Sequence, residues 1–311
     1  MATPAQPILK PAQTWLGAPA GLPTRATKAA IVGVPFDVGT HPTRIGSRLG
    51  PAAIREQSVN LRRYDPFSDL DLLQVTGLVD CGDVAVVPSD IEGSFASIES
   101  ALDAVLAGGA VAITMGGDGS VSLPQMRAAA KRHPGLCVVH LDAHTDAYPM
   151  QGFNTATTFR HVAQEGVIDV PRSFHIGVRG PTLVPGVIGF CRELGYNLVT
   201  MRDLRRDGID AVVARVRAAI GDRPAYLCFD MDFFDPSAAP GVCTPAWGGV
   251  TAQEGLDLVE MLTRDLNVVL LDVNTVSPPH DAGGMTAFLA ATVQGTALGA
   301  LAVRLGSGSP S

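Results

Sequence analysis

Val138-Val139-His140-Leu141-Asp142-Ala143-His144-Thr145-Asp146 is the stretch on which the reading of the fold turns. An apolar run ends in alternating carboxylates and an imidazole. The same design recurs at Tyr226-Leu227-Cys228-Phe229-Asp230-Met231-Asp232. Short, continuous apolar runs are expected of strands covered on both faces. In open α/β sheets, ligands bind beyond the carboxyl ends of the strands. Alternate residues of an extended segment point the same way, so Asp142, His144 and Asp146 should converge, as should Asp230 and Asp232. Carboxylates packed so closely raise one another's pKa unless a cation is present. Mixed Asp/His ligation suits Mn, Ni, Zn or Fe better than Mg or Ca. The alternative is that each Asp caps a turn or helix of its own.

Outward from this stretch, apolar runs alternate with amphipathic segments. Strands are expected at Ala29–Pro35, Ala110–Met115, Leu136–Leu141, Ser173–Val178, Leu198–Met201, Ala225–Asp230 and Asn267–Val273. Helices are expected at Ile91–Ala107, Leu123–Arg132, Ile209–Ile220 and Ala252–Arg264. This alternation predicts one parallel sheet with helices on both faces. Residues 1–27 hold Pro4, Pro7, Pro11, Pro19 and Pro23, which forbid a regular helix there. They are read as an N-terminal arm, and residues 28–311 as a single domain.

Composition narrows the function classes. A length of 311 residues suits one large α/β domain or two ordinary ones. With 46% hydrophobic and 17% charged residues, the chain is too apolar for a disordered state. A net charge of −7 gives no support for a nucleic-acid-binding face. Five scattered cysteines without a C-x-x-C pair fit free thiols in a reducing, cytoplasmic compartment. No secretory signal is expected at the N-terminus. Ala282–Val303 carries no charge and is nominally long enough to span a bilayer. It is read instead as a buried helix of a soluble fold, with Gly295 and Gly299 permitting close packing. No membrane partner is expected.

A third strand runs into Gly116-Gly117-Asp118-Gly119-Ser120. Alone, this turn could cradle a phosphate on backbone N–H groups, as in some kinases. No Walker-type Lys or other phosphate clamp follows it. Asp118 is read as a turn residue, and His140, His175 and His161 as packing or surface histidines. Trp247 is read as lining a pocket or making a core or subunit contact.

Taken together, the ordered blocks resemble the ureohydrolases, the arginase and agmatinase family. They run from Gly33-Val34-Pro35-Phe36-Asp37 with Gly39-Thr40, through Gly46-Ser47-Arg48-Leu49-Gly50-Pro51 and Gly82-Asp83-Val84, to Gly116-Gly117-Asp118 and Asp142-Ala143-His144-Thr145-Asp146. Ile176-Gly177-Val178-Arg179-Gly180, Asp230-Met231-Asp232-Phe233-Phe234-Asp235-Pro236 and Val276-Ser277-Pro278 complete the set. The resemblance implies a three-layer α/β/α fold assembled as trimers or hexamers. It also implies hydrolysis of a guanidino group at a pair of metal ions, normally manganese and sometimes nickel. By family roles Asp142 and Asp230 would bridge the metals, His144 and Asp232 would complete the second site, and Asp146 would belong to the first.

Three positions depart from the pattern. The family's first-metal His is Gly119 here. The His that assists substrate binding and proton transfer is Thr155, and the Glu that pairs with the guanidinium is Thr275. No intact catalytic residue is expected at those slots, and at most one Mn or Ni ion is expected per chain. The losses resemble those of the inert partner in two-chain bacterial metformin hydrolases. The chain is therefore read as a non-catalytic subunit supporting an active paralogous chain in a mixed oligomer. The alternative is an active metallohydrolase acting on a linear amidine, ureido or N-substituted guanidine substrate.

Overall fold

The computed structural model describes residues 12–39, 41 and 43–306. In chain order the elements are β1 (Ala29–Gly33), α1 (Gly50–Ser58), a small hairpin of β2 (Tyr64–Asp65) and β3 (Leu70–Asp71), α2 (Leu72–Thr76), β4 (Val79–Asp83) and α3 (Ile91–Ala107). Then come β5 (Val111–Met115), α4 (Ser122–Arg132), β6 (Cys137–Leu141), α5 (Thr158–Glu165), β7 (Phe174–Val178), α6 (Val187–Glu193), β8 (Asn197–Thr200) and α7 (Met201–Asp207). The chain continues through α8 (Ile209–Ile220), β9 (Pro224–Asp230), α9 (Ala252–Asp265) and β10 (Asn267–Asn274), and α10 (Met285–Gly306) follows.

Eight strands form one parallel sheet in the order β4-β1-β5-β10-β9-β6-β7-β8. Side chains alternate between its faces. On one face Ile31, Ile113, Val139, Leu227 and Leu271 pack with residues of α1, α2 and α7 to α10. On the other Val32, Ala112, Val138, Tyr226 and Leu270 pack with residues of α3 to α6. The result is the expected three-layer α/β/α fold. Burial on both faces explains why the strands read as continuous apolar runs. Helix ends are set locally: at α9 the Thr251 hydroxyl accepts from Glu254 N–H, and the Glu254 carboxylate accepts from Thr251 N–H. Such a cap is worth about 1 kcal/mol.

Register places the chemistry. Leu141 of β6 pairs with Phe229 of β9, and Asn274 of β10 pairs with Asp230. The residues following these three central strands therefore emerge side by side at one edge of the sheet. The uncharged stretch near the C-terminus is α10, and it is mostly buried. A Cβ at Gly295 would lie 3.4 Å from Leu61, whereas at Gly299 it would meet nothing within 4 Å, so only the first glycine marks a close approach.

The segment expected as an arm joins the core earlier than Ala29. Trp15 is fully buried, its backbone N–H donates to Asp80 Oδ2 at 2.8 Å, and its indole N–H donates to Gln294 Oε1 at 2.8 Å. Ala20 then bridges to Asp80 in parallel, covering the edge of β4. Pro4, Pro7 and Pro11 lie outside the described residues, as does Thr40.

Candidate metal centre and cavity

The site begins at the end of β6. His144 N–H donates to Asp142 Oδ1 at 2.6 Å, turning the chain so that the imidazole folds back over the carboxylate, with Nδ1 3.2 Å from the same oxygen. Across the sheet, Asp232 is set by the bond from its own N–H to Asp230 Oδ1 at 2.8 Å. Asp232 Oδ1 accepts from Ala143 N–H at 3.0 Å, and Oδ2 accepts from the Thr244 hydroxyl at 3.0 Å and lies 3.1 Å from His144 Nδ1. Asp142, His144 and Asp232 thus present one ligand atom each, all within 4.8 Å of one another.

Burial sets the electrostatics. Asp142 and Asp232 are almost wholly buried. Burial, reinforced by the Asp232 charge, pushes Asp142 up to about 8. Burial also works against the ionised form of Asp232, but the adjacent His144 outweighs it and holds Asp232 well below the carboxylate range. Burial disfavours the His144 cation, yet Asp232 and Asp142 keep it protonated well above the usual range. In the metal-free chain, the imidazolium serves as the cation of the cluster. Asp142 Oδ2 is buried without a hydrogen bond, its 2.9 Å contact to His140 Nε2 failing hydrogen-bond geometry. An orphaned carboxylate oxygen beside a second carboxylate and an imidazole is a donor set that fits one divalent cation.

Asp146 and Asp230 do not join this tight group. The predicted alternation fails at Asp146 because its backbone leaves the extended region, at φ +44°. Its buried side chain turns toward Gly119, and burial together with Asp142 raises its pKa well above normal. Asp230 is nearly wholly buried, and its Oδ1 is engaged by Asp232 N–H and lies 2.5 Å from Thr275 Oγ1. Burial and the two neighbouring carboxylates raise it as well.

The three substituted positions surround one space. A Cβ added at Gly119 would stand 2.9 Å from both Asp146 Oδ2 and Thr155 Cγ2. Gly119 is buried, and Thr155 and Thr275 line a cavity of about 520 Å³ with His144, Asp146 and Tyr148. Arg44, Ile45, Leu183 and Cys243 also line it.

Asp118 is the turn residue expected: it accepts from Val38 N–H at 2.9 Å and Ser120 N–H at 3.1 Å. His140 and His175 are buried packing residues, their Nδ1 atoms 2.9 Å apart, with Phe159 stacked on His140 and Tyr196 edge-on to His175. Burial holds His140 down to about 3 and His175 well below its ordinary value, so both are neutral. His161 lies beside Phe153 and accepts no place in the cavity lining. Trp247 is 77% exposed, so it is not core, and it does not line the cavity. All five cysteines are free.

Arg179 is a residue that sequence reasoning left without a role. Its backbone N–H donates to Ala143 O at 2.9 Å, and its Nη2 donates to Asp232 O at 2.6 Å and Ala246 O at 2.9 Å. It ties together the loops that carry the triad. Its sequence signals were its place directly after the strand Phe174–Val178 and its inclusion in the block Ile176-Gly177-Val178-Arg179-Gly180.

With the geometry defined, similarity to known proteins can be placed on it. The Arginase family profile matches residues 27–299. A guanidinopropionase of Pseudomonas aeruginosa is 36% identical over 284 residues, covering 90% of this chain and 88% of that protein. An agmatinase of Escherichia coli is 38% identical over 266 residues, covering 85% and 84%. Among solved structures, the proclavaminate amidino hydrolase of Streptomyces clavuligerus superposes with a TM-score of 0.88 at 32% identity, covering 96% of this chain and all of that one.

Proposed function

The chain belongs to the arginase family, and from that premise we propose that it is a non-catalytic, supporting subunit of a heteromeric guanidine-type (amidino) hydrolase, of the kind found in two-chain metformin hydrolases. The observation that carries this reading is the refilled space around Gly119. The Thr155 methyl and the Asp146 carboxylate stand 2.9 Å from where a Cβ at 119 would sit, so any side chain there must displace them. Thr275 adds a third loss, because a hydroxyl engaged with Asp230 offers no carboxylate to a guanidinium. A missing charge-assisted bond of that kind costs about 1.5–3 kcal/mol, and here it coincides with the loss of a metal ligand and of a proton carrier. The fold remains, and the partner in this reading is a paralogous, catalytically intact chain in a cytoplasmic trimer or hexamer.

Asp142, His144 and Asp232 would hold a single Mn or Ni ion in this chain. A second reading, an agmatinase-like hydrolase of an amidine, ureido or N-substituted guanidine substrate, is favoured by that triad's position beside the cavity. A divalent ion there would supply Lewis acidity and lower the pKa of water. His144 would orient in the pocket wall, and the Thr155 and Thr275 hydroxyls would favour a neutral or substituted group over an unsubstituted guanidinium.

One experiment separates the two readings. The chain is purified alone from Mn- or Ni-supplemented medium, and metal content and urea release are measured on the same sample, then again after mixing with a paralogue that retains the Gly-Gly-Asp-His-Ser motif. At most one ion per chain, no urea alone and turnover only on mixing supports the subunit. Hydrolysis by the single chain that is lost on Asp232→Ala establishes the second reading instead.

A further inference from the structure

Three tyrosines are buried among the described residues, Tyr148, Tyr196 and Tyr226. Two of their hydroxyls are satisfied within the protein. Tyr196 Oη donates to Phe159 O at 2.8 Å, and Tyr226 Oη donates to Asp272 Oδ2 at 3.0 Å. That is the ordinary state of a buried phenol. Tyr148 departs from it. Only 4% of the residue is exposed, yet its hydroxyl makes no hydrogen bond to any described residue. The hydroxyl is not sealed in protein, and the open space that Tyr148 lines is the cavity beside His144 and Asp146. Backbone bonds fix it there. Tyr148 N–H donates to Ala156 O at 2.9 Å, Met150 N–H donates to Tyr148 O at 2.8 Å, and Phe159 N–H donates to Asp146 O at 2.8 Å. The phenol therefore stands between the loop after β6 and the turn carrying Thr155. Other polar groups of the cavity wall are already engaged. Asp118 accepts from backbone N–H groups, the Thr244 hydroxyl donates to Asp232, and the Thr275 hydroxyl lies against Asp230. Tyr148 keeps a neutral donor and acceptor free.

We infer that Tyr148 is a ligand-contacting residue of this cavity: its free hydroxyl accepts a hydrogen bond from an N–H of an amidine, guanidine or ureido group seated beside Asp146. All three groups present N–H donors in a plane, and a phenol oxygen accepts from any of them without requiring a positive charge. That suits a cavity in which position 275 carries a hydroxyl in place of a carboxylate. The inference rests on the reading of the cavity as the place of such a group. It holds whether or not the chain turns the ligand over, so a supporting subunit would still bind the small molecule.

The test compares the intact protein, in its native assembly, with Tyr148→Phe and, as a control, Tyr196→Phe. Each substitution keeps the ring and removes one hydroxyl. Binding of agmatine, and of its ureido counterpart N-carbamoylputrescine, is measured by calorimetric titration with saturating Mn²⁺. Thermal midpoints are recorded on the same samples. Tyr148→Phe is expected to weaken binding of both compounds about tenfold and to leave the midpoint unchanged, because no bond within the protein is lost. Tyr196→Phe is expected to do the reverse, lowering the midpoint through loss of its bond to Phe159 O and leaving binding unchanged. Wild-type affinity in Tyr148→Phe would mean that the hydroxyl serves only solvent, and it overturns the inference while the cavity reading stands. A midpoint lowered as far as in Tyr196→Phe would make Tyr148 a structural residue and overturns the inference as well. No binding of either compound by the wild type overturns both the inference and the cavity reading.

Discussion

His144 Nδ1 lies 3.1 Å from Asp232 Oδ2, joining a residue just past β6 to one just past β9. The same nitrogen is 3.2 Å from Asp142 Oδ1. One imidazole therefore faces two buried carboxylates whose proton affinities are pushed in opposite directions. That asymmetry belongs to the metal-free chain, and the first predictions follow from it.

Asp232→Asn keeps the shape of the site and removes one charge. Divalent-ion affinity is expected to fall about a hundredfold or more, beyond the 10–100-fold typical of losing an outer-shell partner. Thermal stability of the metal-free protein should fall as well, because the carboxylate it removes is the one that faces the protonated His144. Calorimetric titration and thermal denaturation on the same sample check both. Unchanged ion binding would remove Asp232 from the site.

The pH dependence has a definite sign. Asp142 is raised in the folded state to about 8, far above the ordinary carboxyl value of about 4. A raised carboxyl binds its proton more tightly when folded, so its contribution is fully present below about pH 4 and is lost as pH rises through 8. Asp146 and Asp230 are shifted in the same direction. Stability of the metal-free chain is therefore expected to decline as pH rises from about 4 to about 8, and saturating Mn²⁺ or Ni²⁺ should flatten the decline. Denaturant midpoints across that range provide the check. A rise in midpoint with pH would contradict the charge assignment.

Gly119→His alone should raise ion occupancy without restoring guanidine hydrolysis. The new Cβ must displace the ends of Asp146 and Thr155, each 2.9 Å away. Displaced side-chain ends are costly but movable, so a fall in stability of about 1–3 kcal/mol is expected. Urea release at the level of an active agmatinase from this one change would show that Thr155 and Thr275 matter little.

Trp15→Ala tests the attachment of the N-terminal segment. The indole is fully buried and bonded to Gln294. Removing such a side chain costs about 3–5 kcal/mol. Urea denaturation should show that loss with an unchanged slope. A loss below 1 kcal/mol would mean that residues before Ala29 contribute little to the fold.

Much of the architecture was legible in the sequence because buried parallel strands are short apolar runs and their helices are amphipathic. Ile91–Ala107 and Ile209–Ile220 were read to the residue. The strand Val79–Asp83 was not seen, because an edge strand carrying Asp80, Cys81, Gly82 and Asp83 has neither a continuous apolar run nor strict alternation. Trp15 was hidden among prolines, its burial being decided by Asp80 and Gln294, 65 and 279 positions away. At the site, Asp142, His144 and Asp232 could be found from alternation after a strand. Asp146 lines the same cavity as His144 but stands outside the group within 4.8 Å, since a positive φ breaks the period of two there.

By itself, then, the sequence determined the parallel sheet, the acidic residues at two strand ends, and the absence of an imidazole at 119, an imidazole at 155 and a carboxylate at 275. These are local facts of composition and period, and no packing can alter them. The tertiary structure alone decided which carboxylates meet. The β6–β9 register set Asp142 beside Asp232, the turn at Asp146 sent its side chain toward Gly119, and the left-handed backbone at Thr275 engaged its hydroxyl with Asp230. Those outcomes depend on groups far apart in the chain, whose separation is set by strand pairing and burial, and neither quantity is contained in local sequence spacing.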